Sequence, residues 1–360
     1  MNIYNGIVLW IIGLNILFSC AFPKKKRHYV LLVSLALALV CGLRQYQTLG
    51  VDLGRYYRHF VEIGSMSFLE SFSYSDDSSF FYAVNWLFSM LSIDYQWFIA
   101  AMSLFCCFSF GWYVKKYSVN PMLSFFIYLG MGCYSFLFSG LRQSIAMAVV
   151  LFAIDSYHRK KYVRCGALFL TAMFFHPTAI VILPWLLVSK KPINDMVILT
   201  YGVLLVVCVL FRVQLGRLMT LIYKESYLDR YESRGEIGGT FILIVIVLAL
   251  YLFINKKRIK QKGTEDARLF HSLIIMLIIQ VFSSFSYAFT RINLYYMMAS
   301  FSLLVPRMLD SSTFSKRFIK DRGVLRYAVV LVFMLVMYRL FMGHIRGEDL
   351  LNYRFFWQSI

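Results

Sequence analysis

Charge is scarce in this chain. Only 15% of its 360 residues are Asp, Glu, Lys or Arg, where a soluble globular domain carries nearer a quarter. Acidic residues are the scarcer kind, 18 against 37 basic ones. That shortage excludes a water-soluble enzyme with an ordinary solvated surface. Metal-binding patterns are missing as well, since no C-x-x-C pair and no clustered His/Cys spacing occurs. The seven cysteines (Cys20, Cys41, Cys106, Cys107, Cys133, Cys165 and Cys208) all fall in apolar blocks. A disulfide framework would put them in exposed loops, so they read as small buried hydrophobes. No loop is long enough for a nucleotide-sugar domain. The longest polar stretches are 44–94 and 214–238.

What the chain does have is apolar length. It is 60% hydrophobic and 18% aromatic, in blocks of about 16–22 residues, the length a helix needs to cross a hydrocarbon core. These blocks predict an all-α, multi-pass membrane protein forming a single polytopic domain over 1–360. Its twelve expected spans are 3–22, 28–43, 95–114, 120–138, 143–158, 162–176, 177–189, 195–213, 239–255, 268–287, 292–309 and 324–342. The first block has no basic stretch before it and no A-x-A-like cleavage site, so it is expected to be a retained span. Residues 80–91 are apolar but short, with Tyr82, Asn85, Ser89 and Ser92 on one stripe. That spacing predicts a helix lying in the membrane interface.

The excess of basic residues is not spread evenly. The loops on one side collect 24 basic and six acidic residues, and the other side holds the remaining 13 and 12. Lys and Arg favour cytoplasmic loops. The Lys-rich side is therefore expected in the cytoplasm, with both termini and the segments 44–94 and 214–238 outside. Basic rims of this kind suit anionic lipid, so the formal charge of +19 does not imply a nucleic-acid partner.

With this topology several polar residues gather on the outer side. Arg44 ends the second span; Asp52, Tyr56, Tyr57 and His59 follow it. Arg142 and Gln143 open a later span. His176 sits at the tip of a hairpin, and Arg291, Asn293 and Tyr295 begin another inward-running helix. Arginine at membrane depth is costly, roughly 2.5–3.5 kcal/mol on insertion scales, so it marks a candidate functional residue. Helix N-termini facing outward attract anions. Ser139 and Thr290 read as N-caps, and Pro177 suits a first helical turn. Guanidinium groups beside such ends suit a diphosphate, which they bind in a bidentate fork. Each residue also has a plainer reading: Arg44 and Arg291 as interfacial anchors, His176 as a helix-tip hydrogen-bonder, Asp52 as a turn residue.

The same segments carry a resemblance. Gly42–Tyr57 reads G-L-R-Q-Y-Q-T-L-G-V-D-L-G-R-Y-Y, and Ser139–Ala148 reads S-G-L-R-Q-S-I-A-M-A. Tyr157–Tyr162 (Y-H-R-K-K-Y), Phe174–Pro184 (F-F-H-P-T-A-I-V-I-L-P) and Thr290–Tyr296 (T-R-I-N-L-Y-Y) follow in order. In these motifs the chain resembles the EpsG family of bacterial polysaccharide polymerases, related in role to Wzy-type O-antigen polymerases. Residues 195–280 carry no motif of this kind. The resemblance implies a GT-C-like integral membrane glycosyltransferase. Such an enzyme joins repeat units borne on undecaprenyl diphosphate at the periplasmic face of the inner membrane, without metal or other cofactor. Carried over by motif, Arg44, Arg142, Gln143 and Arg291 are expected to bind the diphosphate, with Tyr56 and Tyr295 also holding substrate. His176 or Asp52 is expected to take the acceptor proton, and Arg142 to stabilise the leaving group. Membrane lipids and a chain-length regulator are further candidate partners. A lipid-linked oligosaccharide flippase, an O-antigen ligase and a multi-pass acyltransferase are the rival readings. A transporter, however, keeps its polar residues near the midplane.

Overall fold

The computed structural model describes residues 2–22, 25–47, 49–50, 52–74, 78–220, 238–261, 263–310 and 322–358. Most of the expected outer segment 214–238 lies outside them. In chain order the helices are α1 (Ile3–Cys20), α2 (Lys26–Gly42), α3 (Leu53–Ile63), α4 (Phe68–Phe72), α5 (Ser79–Met90), α6 (Tyr95–Tyr117), α7 (Pro121–Gly130), α8 (Cys133–Phe136), α9 (Leu141–His158) and α10 (Tyr162–Phe175). A 3₁₀ turn (Pro177–Ile182) leads to α11 (Leu183–Val188), α12 (Asp195–Leu210), α13 (Arg212–Thr220), α14 (Gly239–Ile259), α15 (Glu265–Phe282), α16 (Tyr287–Tyr296), α17 (Ser302–Met308) and α18 (Arg322–Gly347). Among the described residues the only β pairing is an isolated antiparallel bridge between Arg44 and Phe355.

Local chemistry sets many of the boundaries. Asn120 caps α7 by accepting the Leu123 N–H, with Pro121 at the first helical position. Asp94 caps α6 and Asn194 caps α12 in the same way. Thr264 caps α15, whose first turn carries Glu265 and Asp266 against the positive helix end. Among the described residues four helices are long and apolar enough to cross a membrane: α1, α6, α14 and residues Tyr327–Gly347 of α18. Others expose apolar faces to their surroundings. In α12, Leu199, Val203, Leu204, Val206 and Leu210 are exposed while Cys208 is buried. A water-soluble surface does not carry so large an apolar face. The protein is an all-helical membrane protein.

The chain forms two compact units, Met1–Ile180 with Ala328–Ile360, and Val181–Tyr327. In the first, α2, α6 and α9 pack side by side. Their basic ends share one rim. Lys26 donates to the Ser118 carbonyl at 2.6 Å. Asp155 receives Lys116, Tyr117 and, at 3.2 Å, Arg159. The opposite ends of the same three helices carry Arg44, Tyr95 and Arg142. In the second unit, Arg307 forks onto the buried Asp266 at 2.9 and 3.1 Å, and Tyr251 donates to the same carboxylate at 3.0 Å. Two carboxylate oxygens with three donors are well satisfied despite burial.

Several expectations are corrected. The block 120–138 is not one span. It breaks at Gly132, whose φ of +80° lies in the left-handed region that glycine adopts without strain. The backbone then runs through the short α8 to Gly140. Such non-helical backbone is tolerated at membrane depth because residues 123–141 are all buried in protein. Ser139 does not cap α9, since Gly140 occupies the cap position and no side-chain bond is made there. Thr290 is no cap either. Ser286 caps α16 by accepting the Ala288 N–H. The block 292–309 accordingly starts five residues earlier than expected, at Tyr287, and passes through a π turn at Met297–Phe301. Block 177–189 is a 3₁₀ turn followed by a short α-helix. All seven cysteines are free thiols, and six are buried, but Cys20 at the end of α1 is exposed. The helix expected over 80–91 forms as α5, yet the inner half of its polar stripe faces protein. Tyr82 and Asn85 are buried, while Leu87, Met90 and Leu91 are exposed. At 12 residues, about 18 Å long, α5 is too short to cross the bilayer.

Candidate functional site

The two G-L-R-Q segments come together in the first unit. Each opens with a glycine where two elements meet closely. A Cβ on Gly42 would lie 2.9 Å from the Ala100 backbone, and one on Gly140 would overlap the Phe136 ring. The amide of Gln96 donates to the Gly42 carbonyl at 2.7 Å, which locks the end of α2 to the start of α6.

Arg142 stands at the second position of α9. Its Nε donates to the Tyr56 hydroxyl at 3.4 Å and its Nη1 to the Ser78 hydroxyl at 3.1 Å. The guanidinium lies 5.4 Å from the centre of the Tyr56 ring, a cation–π distance. Tyr56 comes from α3 and Ser78 caps α5, so three elements fix one side chain. Arg142 is half-buried; among the described residues no carboxylate forms an ion pair with it, and Asp52 acts on its charge from farther off. Burial raises the Tyr56 pKa, opposed by the adjacent Arg142 charge. Gln143, the next residue, is buried.

The other candidates in this unit have their own partners. Asp52 precedes α3, and its carboxylate pairs with Arg55 at 3.0 Å. His176 ends α10, and Phe174 beside it stacks on Phe80 with centroids 4.9 Å apart. Phe80 is two residues from Ser78, so the end of α10 is held at the start of α5. His176 Nδ1 lies 2.6 Å from the Thr178 hydroxyl and accepts the Thr178 backbone N–H at 3.4 Å. Nδ1 therefore faces Thr178. Arg44, expected as a ligand residue, has no exposed surface, and its guanidinium is turned onto backbone carbonyls.

Arg291 and Tyr295 belong to the second unit. Arg291 lies within α16, beyond its first turn, with its guanidinium 5.8 Å from the Tyr287 ring centre. It is therefore not at a helix N-terminus, contrary to expectation. Asn293 is fully buried and donates to the Met276 carbonyl at 3.0 Å and to Gln280 at 2.8 Å. Tyr295 is buried.

Some contributors were missed in the sequence. Ser78 and Tyr82 face the site from α5, and Tyr82 lies 3.3 Å from His59 Nδ1. The Tyr82–Asn85 stripe is legible in the sequence as that of an interfacial helix, but its residues are buried against protein. Glu348, which accepts the Ser139 hydroxyl at 2.8 Å, follows the last apolar block and gave no local signal.

The long apolar helices define a helical membrane protein. The chain belongs to the EpsG family, whose model matches residues 3–355. Membership places it with membrane-bound polysaccharide polymerases of glycosyltransferase type. No curated protein and no solved structure matches the chain.

Proposed function

We propose that the protein joins oligosaccharide repeat units carried on undecaprenyl diphosphate, at the periplasmic face of the bacterial inner membrane. Arg142 carries this reading. Its contacts are to neutral hydroxyls, so its charge and remaining N–H donors are available to a ligand. A diphosphate matches that fork in charge and geometry. With the basic rim of the first unit in the cytoplasm, Arg142, at the opposite end of α9, would lie on the side where lipid-linked repeats are polymerised. Membrane lipids surround the protein, and a chain-length regulator is a candidate partner.

In the reaction an acceptor-sugar hydroxyl attacks the anomeric carbon of the donor. The new C–O bond forms as the anomeric carbon–oxygen bond to diphosphate breaks. The lipid diphosphate leaves with that electron pair, and the hydroxyl proton passes to a base. Arg142 stabilises the charge on the leaving group. Fixed electrostatic stabilisation of this sort contributes about 3–4 kcal/mol per group. His176, whose Nδ1 meets Thr178, acts as a donor to the diphosphate or sugar. Asp52 is the better base, worth about 10²–10⁴-fold. Gln143 and Tyr56 orient the substrate and Arg142. Arg142→Ala is expected to leave protein in the membrane but yield only single-repeat glycans. Long chains from that variant at normal abundance would refute the proposal.

A further inference from the structure

We propose that Arg44 is a positioning residue. It acts through the turn that carries Arg142 and does not itself touch the ligand. This deepens the reading above and rests on it.

Arg44 is 0% exposed. Its Nη1 donates to the Cys41 carbonyl and lies 3.1 Å from the Cys41 sulfur. Nη2 donates to the Phe138 carbonyl at 3.1 Å and reaches the Leu137 carbonyl at 3.4 Å. The guanidinium also lies 4.8 Å from the Phe138 ring centre. Cys41 is in the last turn of α2, and Leu137 and Phe138 follow the last residue of α8. These are carbonyls that helix ends leave without partners, at the negative end of the dipole. One side chain thus ties two helix ends together. The tie falls four and five residues before Arg142, in the non-helical backbone between Gly132 and α9.

A strap over 350–358 closes over the same place. The Gln45 N–H donates to the Arg354 carbonyl at 2.9 Å, and the Phe356 N–H to the Leu43 carbonyl at 3.0 Å. Tyr353 donates to the Val40 carbonyl at 2.7 Å, and Gln45 Nε2 to the Gln358 carbonyl at 3.3 Å. Just before the strap, Glu348 holds Ser139. Both arginine-bearing segments are therefore fastened by residues 348–358. A guanidinium sealed beneath this strap and spread over three carbonyls cannot fork onto a phosphate without releasing the turn. Buried charge is costly unless its donors are met. What Arg44 secures in return is the placement of Arg142.

The test is a double-mutant cycle on purified protein, with a lipid-diphosphate-linked single repeat as substrate and thermal midpoints measured in parallel. Arg142→Lys alone should lower turnover about 10-fold, because a point charge replaces a fork. Arg44→Ala alone should lower it at least as much. On the Arg142→Lys background, Arg44→Ala should cost less than about 3-fold more, since coupled sites are not additive. Tyr353→Phe leaves both arginines intact and loosens only the strap. It should slow turnover a few-fold without weakening undecaprenyl diphosphate binding, and it carries the test if Arg44→Ala fails to accumulate. Losses that multiply in the double variant, or a Tyr353→Phe enzyme of wild-type rate, would overturn the proposal. A wild-type rate in Arg142→Lys alone would instead overturn the diphosphate reading of Arg142.

Discussion

Arg142 depends on two neutral hydroxyls for its direction. Removing one of them should be felt in rate before it is felt in stability. Tyr56→Phe keeps the ring under the guanidinium and deletes only the oxygen that Nε reaches. A hydrogen bond to a charged group contributes about 1.5–3 kcal/mol, so turnover should fall about 10-fold or more with an unchanged melting midpoint. A wild-type rate would separate Tyr56 from the chemistry. His176→Ala tests the donor role: affinity for the lipid diphosphate should drop about 10-fold while the pH–rate profile keeps its shape. A lost limb in that profile would return the base role to His176. The identity of these residues was readable from the sequence because arginine, histidine and aspartate are rare beside apolar blocks. Their partners were not. Arg44 and Arg142 share the same four-letter motif, and only the three-dimensional path of residues 131–140 gives one of them backbone carbonyls and the other side-chain hydroxyls.

At the scale of elements, the break between α7 and α9 matters most. A twelve-block hydropathy reading cannot see it, since residues 121–138 are almost wholly apolar and only Gly130 and Gly132 mark the turn. Its positive φ is the evidence. Gly132→Ala should destabilise the protein by about 1–2 kcal/mol through left-handed strain, read as a lower melting midpoint in detergent. An unchanged midpoint would mean the turn relaxes freely. The α3–α5 layer offers a second test. Burial lowers the His59 pKa below its ordinary value. Glu62 works against this shift, and Arg55, Arg142 and Arg58 reinforce it. Tyr82 and Tyr74 also face the ring. A depressed pKa means the unfolded chain binds more protons, so stability rises with pH. The His59 contribution is complete above about pH 6.5 and is lost as pH falls through the lowered value. His59→Gln should flatten the dependence of the melting midpoint on pH in that window. An identical slope would place the acid sensitivity elsewhere. Helix existence was legible from apolar length and caps. The facing of α5 was not, because a polar stripe looks the same whether it meets water or tyrosines.

For the whole molecule, topology is the quantity to measure. The basic rim at Lys26, Lys116 and Arg159 and the arginine end of the first unit are opposite ends of α2, α6 and α9. In a cysteine-free background, Lys160→Cys should be labelled only from the cytoplasm and Asn352→Cys only from outside. Labelling of both from the same side would remove the orientation on which the periplasmic reaction rests. All-helical architecture could be inferred from composition alone. The division into two units could not, because it depends on residues 328–360 returning to pack with 1–180.

That return has a cost in time. Tyr338 bonds Asn5 at 3.1 Å, and Tyr353 packs on Tyr4 with ring centroids 6.0 Å apart. At a synthesis rate of about 5–20 residues per second, ribosomes need roughly 20–70 s to make the intervening stretch. Throughout that interval the earliest helices are inserted with their partners still unmade, and Arg44 waits in lipid or water without its cover. Nascent chains stalled before residue 328 should therefore be the forms that quality-control proteases recognise.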